Sequence, residues 1–225
     1  MPNVVAFHFG NLAQGPHPLR GKWKTDFFKN NNPIVLELGC GKGEYTVGMA
    51  RRFPDKNFIG VDIKGARMYI GATQAIEGNL TNAAFLRTRI DFINALFAEG
   101  EVDEIWITFP DPQKEKEKKR LTYPYFLKRY WHLLKSDGII HLKTDSVLLH
   151  EFTLGVIRDE QHHIIEATAD IDSTVQDESH ILRTIQTTYE KRFRGMGMPI
   201  TYVSFRLCKD YAKDVKIFPL TVLEE

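Results

Sequence analysis

Cysteine and long apolar runs are scarce in this 225-residue chain. Cys40 and Cys208 are its only cysteines, too few for a disulfide framework or a cysteine-rich zinc site. No run reaches the roughly 18 apolar residues that a membrane-spanning helix needs, and the N-terminal residues lack the apolar centre of a signal peptide. We therefore expect a cytoplasmic protein with no membrane association and no metal site.

Net charge is also small. The 30 lysines and arginines nearly balance 29 aspartates and glutamates, which leaves a formal charge of +1. A globally basic nucleic-acid-binding protein is thus excluded, and any RNA contact must come from a local cluster of cations.

Strand-like and helix-like segments alternate through most of the chain. Short runs rich in branched and aromatic residues predict seven strands, at 33–38, 57–63, 83–88, 103–109, 138–144, 162–168 and 201–207. This alternation predicts an α/β, Rossmann-like fold with a mostly parallel seven-stranded sheet and helices on both faces. The helix before the fifth strand should stop at Asp137 and Gly138. We predict that residues 1–33 form a loosely structured N-terminal arm and that residues 34–225 form a single domain.

A glycine cluster follows the first predicted strand. In "LELGCGKGEY" the glycines Gly39, Gly41 and Gly43 have the spacing G-x-G-x-G. A dinucleotide-binding loop would have G-x-G-x-x-G, and a nucleotide hydrolase would have Ser or Thr after Gly-Lys. Neither pattern is present, so the loop should approach a ligand of another kind.

Three acids near successive strand ends indicate the charge of that ligand. Glu37 precedes the glycines, Asp62 ends the second strand and Asp91 follows the third. A carboxylate beside pyrophosphate would be repelled, whereas one beside an ammonium and a sulfonium is attracted. Asp62 could accept hydrogen bonds from both ribose hydroxyls, and Asp91 could meet an adenine amine. The ligand that fits is S-adenosylmethionine; the alternative is an ordinary tight turn with acids that cap helices.

The segment "FPDPQKEKEKKRLT" places one acid, Asp111, directly before a basic run. Pro110 and Pro112 should stiffen the loop that holds Asp111. The cations fit contact with an RNA phosphate backbone, although Glu115 and Glu117 make a solvated surface loop the alternative. The cations are Lys114, Lys116, Lys118, Lys119 and Arg120.

These motifs occur in one order with "KTDS" and "TTYE", and together they resemble the bacterial tRNA (guanine-N7-)-methyltransferase family over about residues 33–205. The resemblance implies a class I methyltransferase fold that methylates a guanosine in the tRNA variable loop, at tRNA position 46. It implies cofactor contacts or a place at the reaction centre for Glu37, Asp62, Asp91 and Asp111, and we expect Gly39, Gly41 and Gly43 to approach the same cofactor. It implies substrate contacts for a lysine after FPDP, for Asp145, and for Thr187, Thr188, Tyr189 and Glu190.

The chain departs from the family after FPDP. Many members have Trp-Pro-Lys-Lys there, whereas this chain has "QKEKEKKR" and is about two residues shorter. The choice between Lys114 and Lys116 for the substrate contact stays open, and the alignment slightly favours Lys116.

The chemistry of guanine explains the acid beside the lysines. N7 carries an in-plane lone pair and no proton, so no general base is needed. A carboxylate at Asp111 would orient the base and stabilise the positive charge that develops on it. The rival functions are another S-adenosylmethionine-dependent RNA or amino-group methyltransferase, and a non-catalytic RNA-binding protein of this fold. The partner we expect is tRNA, with the protein acting as a monomer or a homodimer.

Overall fold

The computed structural model describes residues 1–215, in which apolar runs form strands and amphipathic segments form helices. The strands are β1 Val4–Ala6, β2 Ile34–Leu38, β3 Asn57–Asp62, β4 Ala83–Arg87, β5 Val102–Thr108, β6 Leu134–Thr144, β7 His163–Thr168 and β8 Thr201–Arg206. The helices are α1 Glu44–Arg52, α2 Gly65–Glu77, α3 Ile93–Leu96, α4 Pro124–Leu133, α5 Val147–Asp159, α6 Ile171–Thr174, α7 Ile181–Thr184 and α8 Thr188–Gly195. Within this described part, no helix is both long and apolar enough to cross a bilayer.

The strands make one sheet in the order β1-β4-β3-β2-β5-β6-β8-β7. β8 runs antiparallel to both of its neighbours, and the other pairs are parallel. Strand order reverses at β2, which pairs with β3 on one side and β5 on the other. In such sheets ligands bind beyond the carboxyl ends of the strands at this reversal point. The α/β Rossmann-like prediction is therefore confirmed.

The number of strands differs from the prediction. The described sheet has eight strands, because Val4–Ala6 pairs with Phe85–Arg87 at the edge of the seven predicted ones. A three-residue strand is too short to show an alternating pattern, so the sequence offered no signal for it. It lies within residues 1–33, whose treatment as a separate arm stays a prediction about domain organisation.

The end of α4 also differs from the prediction. The helix stops at Leu133, and β6 starts at once with Leu134 in an extended conformation. Asp137 and Gly138 lie inside β6, where its register with β5 shifts between the Leu134 and Ile139 pairs. The Asp-Gly pair therefore marks a bulge in a strand, which is another common use of glycine.

Two apolar layers cover the sheet. Tyr45, Phe85 and Trp106 belong to the layer under α1 and α2, while Trp23 and Phe97 belong to the layer on the opposite face with α3 and α4. Trp23 is fully buried, stacks on Phe97 with ring centroids 5.3 Å apart, and donates from its indole nitrogen to the Leu96 carbonyl at 2.8 Å. Residues before β2 thus contribute to the core.

We predict that Trp23→Ala lowers the free energy of unfolding by about 3–5 kcal/mol, the usual cost of deleting a buried aromatic side chain. Trp23→Phe should cost less, because it keeps the ring and loses the indole hydrogen bond. Urea unfolding measures both, and Phe9→Ala is the control, since Phe9 is 68% exposed and its loss should cost under about 1 kcal/mol. Equal stability of wild type and Trp23→Ala would show that residues 1–33 do not support the core.

Candidate active site

A cleft of about 490 Å³ opens at the carboxyl ends of the central strands. Its volume is in the range of small-molecule sites, roughly 300–1,000 Å³. Charged or polar side chains and apolar side chains both line it. The charged or polar ones are Asp62, Arg89, Asp91, Gln113 and Lys119, and the apolar ones are Ile63, Ile90, Leu121 and Phe126. The cleft therefore offers hydrogen-bond acceptors between apolar walls.

The glycine loop forms one wall of this cleft through Gly39. Gly39, Gly41 and Gly43 all have positive φ, of 77°, 55° and 73°. A Cβ on Gly43 would lie 2.5 Å from the Phe85 ring, and one on Gly71 of α2 would lie 2.5 Å from the Lys42 carbonyl oxygen. Glycine at both positions thus allows the loop and α2 to pack in direct contact.

Glu37 lies beneath this loop and is only 5% exposed. One carboxylate oxygen accepts from the Thr46 amide at 2.8 Å and the Thr46 hydroxyl at 2.5 Å, and the other accepts from the Thr108 hydroxyl at 2.7 Å. Burial raises the pKa of Glu37 from 4.5 to about 7, although these hydrogen bonds lower it. Glu37 therefore joins β2, α1 and β5 directly under the glycine loop.

Asp62 and Asp91 both reach the cleft. Asp62 accepts from the Gly41 amide at 2.9 Å through one oxygen and from the Lys64 amide at 2.8 Å through the other. Asp91 lies in a short 3₁₀ turn, Ile90–Phe92, with its carboxylate 3.4 Å from Arg89 Nε. The structure thus brings two of the acids that the sequence singled out into one cleft, which the apolar Ile63 also lines.

Asp111 is held in a strained loop. Phe109 lies two residues before Asp111 and Gln113 lies two residues after it. Both have a φ of 48°, which is unusual for residues other than glycine. Asp111 is exposed, and its carboxylate accepts from the Gln113 amide at 3.0 Å. Strained backbone is common at functional sites, where it fixes a side chain in one direction.

The basic run divides into exposed and buried cations. Residues 114–119 are exposed, and Lys119 also lines the cleft. Arg120 is 6% exposed; it donates to the Pro112 carbonyl at 3.1 Å and covers the Phe152 ring at 4.4 Å. Arg120 does not share the exposed surface of the lysines, and its contacts favour a structural role in holding the FPDP loop.

The residues predicted to meet substrate lie in different environments. Asp145 is half-buried just after β6, and burial raises its pKa. Thr187 caps α8 by accepting from the Glu190 amide at 3.1 Å, and Thr188 is exposed. Tyr189 is 46% exposed, whereas Glu190 is completely buried. Of this group, Thr188 and Tyr189 are the most accessible.

Several residues near the cleft were missed from the sequence. Ile63, which follows Asp62, is an apolar side chain that is 55% exposed. Lys119 was grouped with the other lysines of the basic run, and the sequence did not indicate that it lines the cleft. Lys143 is fully buried at the end of β6 and forms an ion pair with Glu190. A lysine within the apolar run "GIIHLKT" was the available signal for this last contact.

We predict that Glu37 makes stability depend on pH. Between about pH 4.5 and 7 the folded protein holds a proton on Glu37 that the unfolded chain has lost, so the contribution of Glu37 falls as pH rises. Glu37→Gln has no titrating group at this position, so it does not lose this contribution. Its free energy of unfolding relative to that of wild type should therefore rise by on the order of 1–3 kcal/mol between pH 5 and pH 8. Urea unfolding of the ligand-free protein measures the difference.

Glu104→Gln is the control, because the pKa of Glu104 is shifted in the opposite direction from that of Glu37. His141 and Lys56 stabilise the Glu104 carboxylate against its burial and lower its pKa from 4.5 to about 2. Its stabilisation is present above about pH 4.5 and is lost only as pH falls toward 2, so this variant should be destabilised at both pH 5 and pH 8. An identical stability difference for Glu37→Gln at the two pH values would contradict the assignment.

Comparisons with known proteins agree on fold and family. The model of a family described as "Putative methyltransferase" matches residues 31–203. The structure is similar to the 16S rRNA methyltransferase KamB, with a TM-score of 0.61, 13% identity, and 89% of this chain and 94% of that one covered. It is also similar to a 30S ribosomal A1408 methyltransferase from an uncultured bacterium, with a TM-score of 0.58, 18% identity, and 82% and 92% covered. These distant structural matches support the fold.

Sequence relatives are much closer. A tRNA (guanine-N(7)-)-methyltransferase of Christiangramia forsetii is 52% identical over 91% of this chain and 92% of its own length. The enzyme of that name from Porphyromonas gingivalis is 49% identical over 97% and 91%, and that from Bacillus subtilis is 34% identical over 82% and 85%. The chain belongs to the tRNA (guanine-N(7)-)-methyltransferase family, whose methyl donor is S-adenosylmethionine.

Proposed function

We propose that this protein transfers a methyl group from S-adenosylmethionine to N7 of a guanosine in the variable loop of tRNA. The observation that carries the proposal is that the proposed cofactor and substrate residues lie at the same end of the sheet, the carboxyl ends of its parallel strands. There the cleft with Asp62 and Asp91 adjoins the ends of β5 and β6, which are followed by Asp111 and Asp145. Cofactor-binding and substrate-orienting groups would thus meet at one place.

The residues of the cleft fit the cofactor. Asp62 has acceptor oxygens for the ribose hydroxyls, Asp91 for the adenine amine, and the apolar side chains of Ile63 and Ile90 suit the faces of the base. Glu37 would favour its charged form near the cofactor's cationic end, because a nearby positive charge stabilises a carboxylate. When bound, the cofactor supplies an electrophilic methyl group on a sulfonium.

Asp111 would act on the guanine. Because N7 already carries a lone pair, the enzyme has no proton to remove from the nucleophile. The carboxylate of Asp111 can accept hydrogen bonds from N1 and the exocyclic amine, which holds the ring in one orientation. Positive charge grows on the ring during transfer, and a fixed carboxylate stabilises it most in the transition state.

The remaining groups would hold the RNA. The exposed lysines among residues 114–119 suit phosphate contacts, with Lys114 or Lys116 nearest the nucleotide. Asp145, Thr187, Thr188 and Tyr189 would line the substrate side, and cytoplasmic tRNA is the expected partner of a monomer or a homodimer. Arg120 is better suited to support the loop, given its burial.

The direct experiment is incubation of the protein with labelled S-adenosylmethionine and unmodified tRNA, followed by nucleoside mass analysis. We expect N7-methylguanosine, mapped to the variable loop by nuclease fragments. Methyladenosine would instead assign the protein to another group of RNA methyltransferases. Cofactor binding without methyl transfer would support a non-catalytic RNA-binding protein.

We predict that Asp111→Asn lowers kcat by about 10²-fold or more, as loss of a charge-stabilising group commonly does, while tRNA affinity stays within about threefold. Single-turnover methylation and filter binding measure the two quantities. Glu115→Gln is the matched control, since Glu115 is an exposed acid in the same loop, and it should keep wild-type turnover. A parallel loss of affinity and turnover would argue against a transition-state role.

We predict that Lys116→Ala reduces the slope of log affinity against log salt by about one, because one phosphate contact is lost. The loss should be similar for tRNAs of different sequence. Arg51→Ala is the control, because Arg51 is exposed at the end of α1, which points away from the cleft edge. An unchanged slope for Lys114→Ala/Lys116→Ala would identify the run as a solvated loop.

A further inference from the structure

Lys143 is a fully buried cation at the end of the strand that leads to Asp145. Its ammonium lies 2.8 Å from a carboxylate oxygen of Glu190 and donates to the Leu182 carbonyl at 2.7 Å. It also donates to the Ile185 carbonyl at 3.3 Å. One side chain of the sheet therefore holds three points of a single segment, Ile181–Glu190, which we call the capping segment.

Two more residues of the capping segment, Thr188 and Tyr189, form polar contacts with α1 and α2. Thr188 donates from its amide to the Glu44 carboxylate at 3.0 Å, and its hydroxyl donates to the same group. Glu44 directly follows the glycine loop. Arg67 of α2 donates to the Tyr189 hydroxyl at 2.5 Å. The segment is thus joined to the glycine loop, to α2 and to the end of β6.

Glu190 has its carboxylate occupied on both sides. One oxygen faces Lys143, and the other accepts from Arg194 Nε at 2.9 Å. The side chain is completely buried. If Glu190 turned towards a nucleotide, its ion pair with Lys143 would break. The Lys143 ammonium would then be buried without a charged partner, which is unfavourable. This differs from the substrate contact that the family resemblance implies for Glu190.

We propose that Lys143 and Glu190 are a pair of positioning residues, which hold the capping segment against the end of β6 and thereby set Thr187, Thr188 and Tyr189 relative to Asp145. In this role Glu190 acts through Lys143 and makes no contact with the RNA. The consequence for activity rests on the proposed function, in which these residues line the substrate side. Replacement of both residues by neutral side chains would remove the ionic link without leaving either position charged and unpaired, and Arg194 would keep its ion pair with Asp172.

A double-mutant cycle on turnover separates positioning from direct contact. Lys143→Met and Glu190→Gln should each lower kcat by about tenfold or more, with cofactor affinity within about threefold of wild type. The double variant should be no slower than the slower single variant, because both changes break the Lys143–Glu190 link and the amide oxygen of the glutamine can still accept from Arg194 Nε. If Glu190 touched the RNA, Glu190→Gln would cost a further tenfold or so in the Lys143→Met background, and that result would overturn the proposal.

The control is the Lys56–Glu104 pair, which has the same 2.8 Å separation and is partly exposed. Lys56 precedes β3 and Glu104 is near the start of β5, so this pair lies at the opposite edge of the sheet. Lys56→Met/Glu104→Gln should alter thermal stability while kcat stays within about twofold of wild type. An equal loss of kcat in this control would mean that any loss of stability slows the enzyme.

Amide hydrogen exchange tests the positioning step without any turnover. In the ligand-free Lys143→Met/Glu190→Gln protein, exchange should rise at Ile181–Glu190 and stay unchanged in β2 and β3. Unchanged exchange in the segment would overturn the proposal. A wild-type protein that forms no N7-methylguanosine would refute the proposed function separately, and the exchange result would still decide whether the pair holds the segment.

Discussion

The close packing of the glycine loop against α2 is the constraint on which the site depends. Gly43 and Gly71 leave no room for a Cβ between the loop, the Phe85 ring and the Lys42 carbonyl. Beneath the loop, Glu37 binds threonines of α1 and β5. Above it, the Gly41 amide binds Asp62 at the end of β3. A shift of this loop would displace Asp62, which is proposed to bind the cofactor, together with the end of β3. The position of the cleft therefore follows from contacts within the protein that need no ligand.

The proposed substrate side is built differently, from polar links that lie within one loop or join segments distant in the chain. The FPDP loop is stabilised locally by the Asp111–Gln113 turn and by Arg120, which reaches back to the Pro112 carbonyl. The capping segment is held by the buried Lys143–Glu190 ion pair and by an exposed contact of Thr188 with the Glu44 carboxylate. Such contacts have directional requirements that apolar packing lacks, and they suit a surface that must present a few groups to a nucleotide in one arrangement. The proposed cofactor side, held by packing, and the proposed substrate side, held by polar links, thus meet along the ends of β2, β5 and β6.

The parts that could be predicted from the sequence are those that depend on local pattern. The seven longer strands, the glycine loop and the strand-end position of Asp62 follow from periodicity and turn chemistry. The three-residue β1 carries too little pattern, and the Asp-Gly pair at 137–138 has the same composition in a bulge as in a helix stop. The burial of Arg120 and the Lys143–Glu190 pair depend on which segments meet in three dimensions. Composition placed Arg120 with exposed lysines, because a basic run does not indicate which cation turns inward.

The central claim is that acids at successive strand ends bind the methyl donor, and calorimetric titration with S-adenosylmethionine tests it most directly. Asp62→Ala loses an acceptor for the ribose hydroxyls, at about 1.5–3 kcal/mol for a charged group, so affinity should fall at least about tenfold. Asp55→Ala is the control, because Asp55 is exposed in the turn before β3, at the opposite edge of the sheet, and it should bind as wild type does. Wild-type affinity in Asp62→Ala would contradict the account.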